Sequence, residues 1–149
     1  MRLSANFTLA EFTKSQTATR KGLDNTPGDE HLENAKALFE NVVQKVRNNF
    51  GVTVINSGYR GPALNEAVGG SSKSQHCKGE AVDIECPGTG NYDVAKWIEE
   101  NLDFDQLILE FYNGKDPRSG WVHVSYKNKD DNRKQCLTIN KQGTFQGLI

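Results

Sequence analysis

Apolar residues recur at Leu32, Ala35, Phe39, Val42, Val43, Val46 and Phe50, three or four positions apart, which is the stripe of one long amphipathic helix. Thr26-Pro27-Gly28-Asp29 supplies its start, with Pro27 at the first helical position, and Gly51 its end. That stripe must lie on something, and the following segments read as a sheet. Residues 52–57 are β-branched, and strand patterns recur at 80–85, 106–112, 121–126 and 136–139. Shorter helices are expected after Thr8, at 61–68 and at 91–101. Thr8 with Glu11 forms a capping box there, Phe7 staples to Phe12, and Asn91 serves as the last helix's cap. Residues 15–28 have no apolar period and read as a loop or strap, and the glycine-rich run 68–74 as a mobile loop. The pattern predicts an α+β fold with helices packed on one face of an antiparallel sheet.

Alternation along the strands assigns their faces. In residues 81–85, Val82 and Ile84 go to the core and Asp83 to the opposite face. In residues 121–125, Val122 and Val124 point inward, leaving His123 and Trp121 outside. In residues 107–111, Glu110 falls opposite Leu107, Leu109 and Phe111. His76 precedes Asp83 by seven residues, across a Lys78-Gly79 turn that can fold the imidazole over the sheet. Two imidazoles and a carboxylate around an open fourth position is how a catalytic zinc is built. Such a site needs a further carboxylate to carry the proton from water to the leaving amine, and Glu110 fits. Each residue also has a plainer reading: a structural histidine at 123, a turn cap at Asp83, a surface acid at Glu110.

Composition narrows the classes. A chain of 149 residues with 36% hydrophobic and 25% charged residues fits one soluble domain, expected to act as a monomer. Eighteen basic and nineteen acidic side chains leave a charge of −1, which disfavours nucleic acid and anionic membranes as partners. Lys127, Lys129, Arg133 and Lys134 cluster, but Asp130 and Asp131 interrupt them, so the run reads as a solvated turn rather than an anion site. No leader-like or membrane-spanning apolar block is present, so the protein is expected to be made in the cytoplasm without a signal peptide. Cys77, Cys86 and Cys136 are an odd, widely spaced set that reads as reduced thiols. A cysteine-ligated zinc is the weaker alternative, since no CxxC pair supports it.

The strings Ser57-Gly58-Tyr59-Arg60, residues 74–83 and Trp121-Val122-His123 together resemble peptidase family M15, the zinc D-alanyl-D-alanine carboxypeptidases and phage endolysin peptidases. The family's SxHxxGxAxD signature is matched at Ser74, His76, Gly79, Ala81 and Asp83, and the likeness runs from about Phe7 to Tyr126. The resemblance implies a hedgehog/D,D-peptidase fold and Zn2+ on His76, Asp83 and His123. It implies that Arg60 grips a substrate carboxylate, that Ser74 contacts the bound peptide, and that Gly79 and Ala81 let the backbone approach the metal. A surface pair for Arg60 and loop capping for Ser74 are the plainer alternatives. Some branches carry the catalytic glutamate three residues before the second histidine, where this chain has Gly120. The role therefore falls to Glu110, with Asp116 its competitor. The implied function is hydrolysis of peptidoglycan stem peptides, as a D,D-carboxypeptidase or an L-alanyl-D-glutamate-type endopeptidase. The alternative is a catalytically silent zinc-containing binding module. A phage protein acting on the bacterial wall after release, or within a virion, is the implied setting.

Overall fold

A computed structural model of the chain, describing residues 1–71 and 73–148, winds the apolar stripe into one helical rod. Helix α3 (Asp29–Leu38) passes through a wide π turn (Phe39–Val43) into α4 (Gln44–Phe50), and Ala35, Leu38, Phe39, Val42, Val43 and Val46 are all fully buried. The rod starts later than its Pro27 signal suggests: Gly28 is the cap, so Pro27 lies outside it, and Asp29 and Glu30 occupy the first turn at the positive end of the helix dipole. Gly51 ends it at a positive φ, +83°, which glycine adopts without a Cβ penalty.

Before the rod, β1 (Arg2–Ser4) and β2 (Phe7–Thr8) make a small antiparallel pair, and α1 (Leu9–Thr13) opens with the expected capping box of Thr8 and Glu11. Phe7 and Phe12 each meet the Phe39 ring edge-on at 5.3 Å. Residues 15–28 are not a plain strap. Ser15 caps a helix, α2 (Gln16–Lys21), by accepting from the Ala18 N–H, and Gly22 closes it. Ala18 is that helix's single buried residue, so no apolar stripe existed to announce it.

Among the described residues, six strands form the main sheet, in the order β3-β4-β6-β5-β7-β8. They are β3 (Val54–Ser57), β4 (Ala81–Glu85), β5 (Gln106–Glu110), β6 (Trp121–Ser125), β7 (Gln135–Asn140) and β8 (Gly143–Gln146). Every pairing is antiparallel except β5 with β7, which is parallel, so the α+β expectation holds with one mixed pair. Val82, Ile84, Leu107, Leu109, Val122 and Val124 join the rod and helix α6 (Asn91–Asn101) in one apolar cluster on one face of the sheet. Each such side chain contributes about 1.5–3 kcal/mol on burial.

Two local expectations fail for physical reasons. Asn91 is the first residue of α6 rather than its cap, which is Gly90; its amide instead donates to the Ser119 and Gly120 carbonyls. Phe111 does not enter the core. The strand ends at Glu110, and Phe111 takes φ +57°, 44% exposed, with its ring 5.5 Å from Trp121. Helix α5 (Pro62–Ala67), with Pro62 in its first turn, and a single 3-10 turn (Gln75–Lys78) bracket the glycine-rich loop, in which Ser72 lies outside the described residues. Among the described residues, no helix is long and apolar enough to cross a membrane.

Candidate metal centre and its groove

The sheet register builds the site. Asp83 of β4 sits directly opposite His123 of β6, whose other neighbour is Ile108 of β5, and Glu110 pairs with Trp121. With Val82, Ile84, Val122 and Val124 facing the core, Asp83 and His123 emerge side by side on the open face. The His123 Nδ1 lies 3.0 Å from Asp83 Oδ1.

His76 arrives from the 3-10 turn. The Ser74 hydroxyl caps this turn by accepting from the His76 N–H at 3.2 Å, and Gly79 ends it at φ +74°. A Cβ on Gly79 would stand 2.4 Å from the His31 carbonyl oxygen, so the close approach that demands glycine is to the His31 backbone rather than to the metal group. His76 Nδ1 donates to the Gly58 carbonyl at 2.8 Å, which places the proton there and leaves Nε2 as the lone-pair nitrogen, 3.5 Å from Asp83 Oδ1. One ligand atom from each of His76, Asp83 and His123 lies within 4.8 Å of the others. Burial opposes ionisation of Asp83, but the two neighbouring imidazoles, His123 first and then His76, outweigh it and hold its carboxyl down at about 2. A carboxylate oxygen whose ionised form is favoured, an imidazole with a fixed tautomer and a second imidazole in contact form a donor set that fits a divalent metal.

These residues line a groove of ≈ 640 Å³, together with Arg60, Ser74, Gln75, Gln106, Ile108, Glu110, Trp121 and several cations. The Trp121 indole N–H donates to Glu110 Oε2 at 2.8 Å. Burial, then the neighbouring Asp83 carboxylate, raises the Glu110 pKa above the ordinary carboxylate range. Arg60 donates through Nη2 to Ser74 Oγ at 3.0 Å, while its buried Nε has no partner among the described residues. Ser74 thus caps the turn and orients Arg60 at once.

Asp116, the competing acid, lies away from the groove in an exposed turn, where its Oδ1 accepts from the Arg118 N–H at 2.9 Å. Nor could position 120 carry an acid in this backbone. Gly120 has φ +68°, and a Cβ there would lie 2.0 Å from the Glu110 carbonyl oxygen. No cysteine belongs to the cluster among the described residues. All three are free thiols, Cys77 reaching the Ser71 carbonyl and Cys136 pushed up to about 12, chiefly by burial and next by Glu99.

Sequence reasoning missed three elements of the site: the Gly58 carbonyl behind His76, the Trp121 clamp on Glu110, and a network at Asp105. Asp105, fully buried just before β5, accepts from Arg133 Nε and Nη2 and from Gln75 Nε2. The basic run at 127–134 is a turn, as expected, built on Asn128 hydrogen bonds to Asp130 and Asp131, but Lys127 and Arg133 at its feet line the groove. Only the chain partners joined by folding reveal these links, since Gln75, Asp105 and Arg133 share no motif.

No curated protein sequence matches the chain. A protein-family model described as Peptidase M15 does match it, over residues 5–125, a span that includes all three metal-group residues. The chain therefore belongs to peptidase family M15, whose peptidases are metal-dependent.

Proposed function

We propose that the chain is a zinc metallopeptidase that hydrolyses peptidoglycan stem peptides, encoded by a phage and acting on the bacterial wall. The observation that carries the reading is the meeting of His76, Asp83 and His123 in one groove with a partly buried carboxyl, Glu110, beside them. His76, Asp83 and His123 would hold the ion. When bound, zinc supplies Lewis-acid polarisation of the scissile carbonyl and of the attacking water.

The chain's own groups do the rest. Trp121 fixes one oxygen of Glu110 at 2.8 Å, leaving Oε1, which has no partner among the described residues, to take a proton from water and return it to the leaving amine. The raised pKa of Glu110 suits that return, because a stronger base holds the proton long enough to deliver it. Arg60, steadied by Ser74 and lining the groove, presents its guanidinium to a substrate carboxylate. Gly58 keeps the His76 ring from rotating.

Incubating the zinc-loaded protein with purified muropeptides and reading the products by mass spectrometry tests the reading. Loss of a terminal D-alanine identifies a carboxypeptidase, and a cut between L-alanine and D-glutamate an endopeptidase. No cleavage of any wall peptide would leave the silent binding module as the better description.

A further inference from the structure

The groove continues past the metal group to an end that the reaction does not use. Strand β5 runs from Gln106 to Glu110, so its ends lie about 13 Å apart, with Ile108, the neighbour of His123, midway. At the Gln106 end three segments converge: the chain before β4 at Lys78, the chain leaving β6 at Lys127, and the chain entering β7 at Arg133, all exposed and all lining the groove.

Arg133 is held in a fixed orientation. The fully buried Asp105 grips its Nε and Nη2 at 3.0 and 2.9 Å and also accepts from the Arg133 backbone N–H. Gln75 completes the carboxylate's shell at 2.9 Å. Burial works against ionisation of Asp105, but the Arg133 hydrogen bonds more than compensate and lower its pKa. The guanidinium is therefore pinned along one edge. Its other edge, Nη1 and the second Nη2 hydrogen, has no partner among the described residues, and the side chain is 53% exposed. Of the other acids there, Glu80 is buried and faces Gln75, and Asp103 accepts from Asn132 and does not line the groove, so Lys127 and Lys78 remain without ion pairs among the described residues. The groove lining at this end, Lys78, Lys127 and Arg133 against Asp105, carries surplus positive charge around one pre-oriented fork, the geometry that binds a carboxylate through two parallel hydrogen bonds.

We propose that Arg133, supported by Lys127, is an anion subsite that receives a second carboxylate of the substrate. Ile108 and Gln106 are two residues apart along β5, about 7 Å, which matches two residues of extended peptide beyond the scissile bond. Arg60 follows β3 and Arg133 enters β7, so the two lie on opposite sides of β4 and β6, the strands that carry Asp83 and His123. The metal group lies between two cationic poles, so the groove selects a peptide with two carboxylates. This inference rests on the reading of the groove as a peptide site.

The test uses two labelled synthetic stem peptides that differ only in whether the internal glutamate carboxylate is free or amidated. Their equilibrium binding to the full zinc-loaded chain is followed by fluorescence anisotropy, in an inactive Glu110→Gln background so that turnover does not interfere. The free carboxylate should tighten binding about tenfold. Arg133→Gln should abolish that preference while leaving the amidated peptide's affinity unchanged, and Arg133→Lys should restore part of it. Lys127→Gln, whose exposed side chain holds nothing in place, should reduce the preference two- to threefold even if Arg133→Gln folds poorly. Equal binding of the two peptides, equal weakening of both by Arg133→Gln, or no binding of either overturns the subsite. A preference for the carboxylate in a chain that cleaves no wall peptide would keep the subsite and overturn the peptidase reading instead. Cleavage without the preference would do the reverse.

Discussion

Replacing Gly120 by alanine probes the backbone on which Glu110 and Trp121 are mounted. Two effects add. At φ +68° an alanine sits in the left-handed region, at about 1–2 kcal/mol. Its Cβ would also stand 2.0 Å from the Glu110 carbonyl oxygen, 2.6 Å from the Phe111 carbonyl carbon and 2.7 Å from the Tyr112 nitrogen. These are backbone atoms, which no rotamer change can move aside, so forcing them apart adds about 1–3 kcal/mol. The sum, about 2–5 kcal/mol, is a large part of the 5–15 kcal/mol that holds a typical domain together. At roughly 2–4 °C per kcal/mol for a chain of this size, the Tm should fall by roughly 4–20 °C. Gly114→Ala is the matched control: φ is +78° and nothing lies within 4 Å of the added Cβ, so only the first effect applies. Thermal unfolding followed by circular dichroism separates the two. If Gly120→Ala and Gly114→Ala melt together, the close approach at residue 120 is not what excludes side chains there.

Other outcomes follow from the same geometry. The Trp121 hydrogen bond lowers the Glu110 pKa against the effect of burial, so Trp121→Phe should raise it further and move the acid limb of the kcat/KM profile to higher pH. A hydrogen bond to a charged group is worth about 1.5–3 kcal/mol, so the limb should move by roughly one to two pH units, and an unmoved limb would contradict the assignment. Asp105 has a depressed pKa, so its contribution to stability is present above the unfolded value near ~3.9 and is lost as pH falls through the lower folded value. The gap in urea stability between wild type and Arg133→Gln should therefore shrink below about pH 4; a gap that persists would show that Asp105 is not the group involved. His123→Ala should abolish the rise in Tm produced by added zinc, about 2.7 kcal/mol of stabilisation at a hundredfold excess over Kd in wild type; a retained rise would place the ion elsewhere. Cys77, partly exposed, should react with thiol reagents before the buried Cys86 and before Cys136, whose pKa is pushed up to about 12. Peptide mapping after brief labelling reads the order.

Strand alternation alone was enough to place Asp83, His123 and Glu110 on one face, because period-two patterning with valines inward admits one register of faces. The rod was equally legible from its seven apolar positions. Alternation failed at Phe111, where an apolar residue continues the strand pattern but the backbone leaves the sheet to close the 111–120 loop. Helix α2 escaped because a helix with one buried residue leaves no stripe, and β8 because all four of its residues are exposed. The Asp105–Arg133 clamp was hidden for another reason: it joins residues 28 apart in the chain, brought together by the parallel pairing of β5 and β7. A polar pair on a turn and before a strand carries no period, so its meaning appears only once the register is known.

The central claim is that Glu110 transfers the proton in a reaction organised by His76, Asp83 and His123. Its most direct test is the wall-peptide cleavage rate of Glu110→Gln, measured on protein whose zinc content has been determined in the same sample. The account predicts wild-type zinc content, one ion per chain, with the cleavage rate reduced by about 10²–10⁴. Full zinc content with a rate within a few-fold of wild type would contradict it.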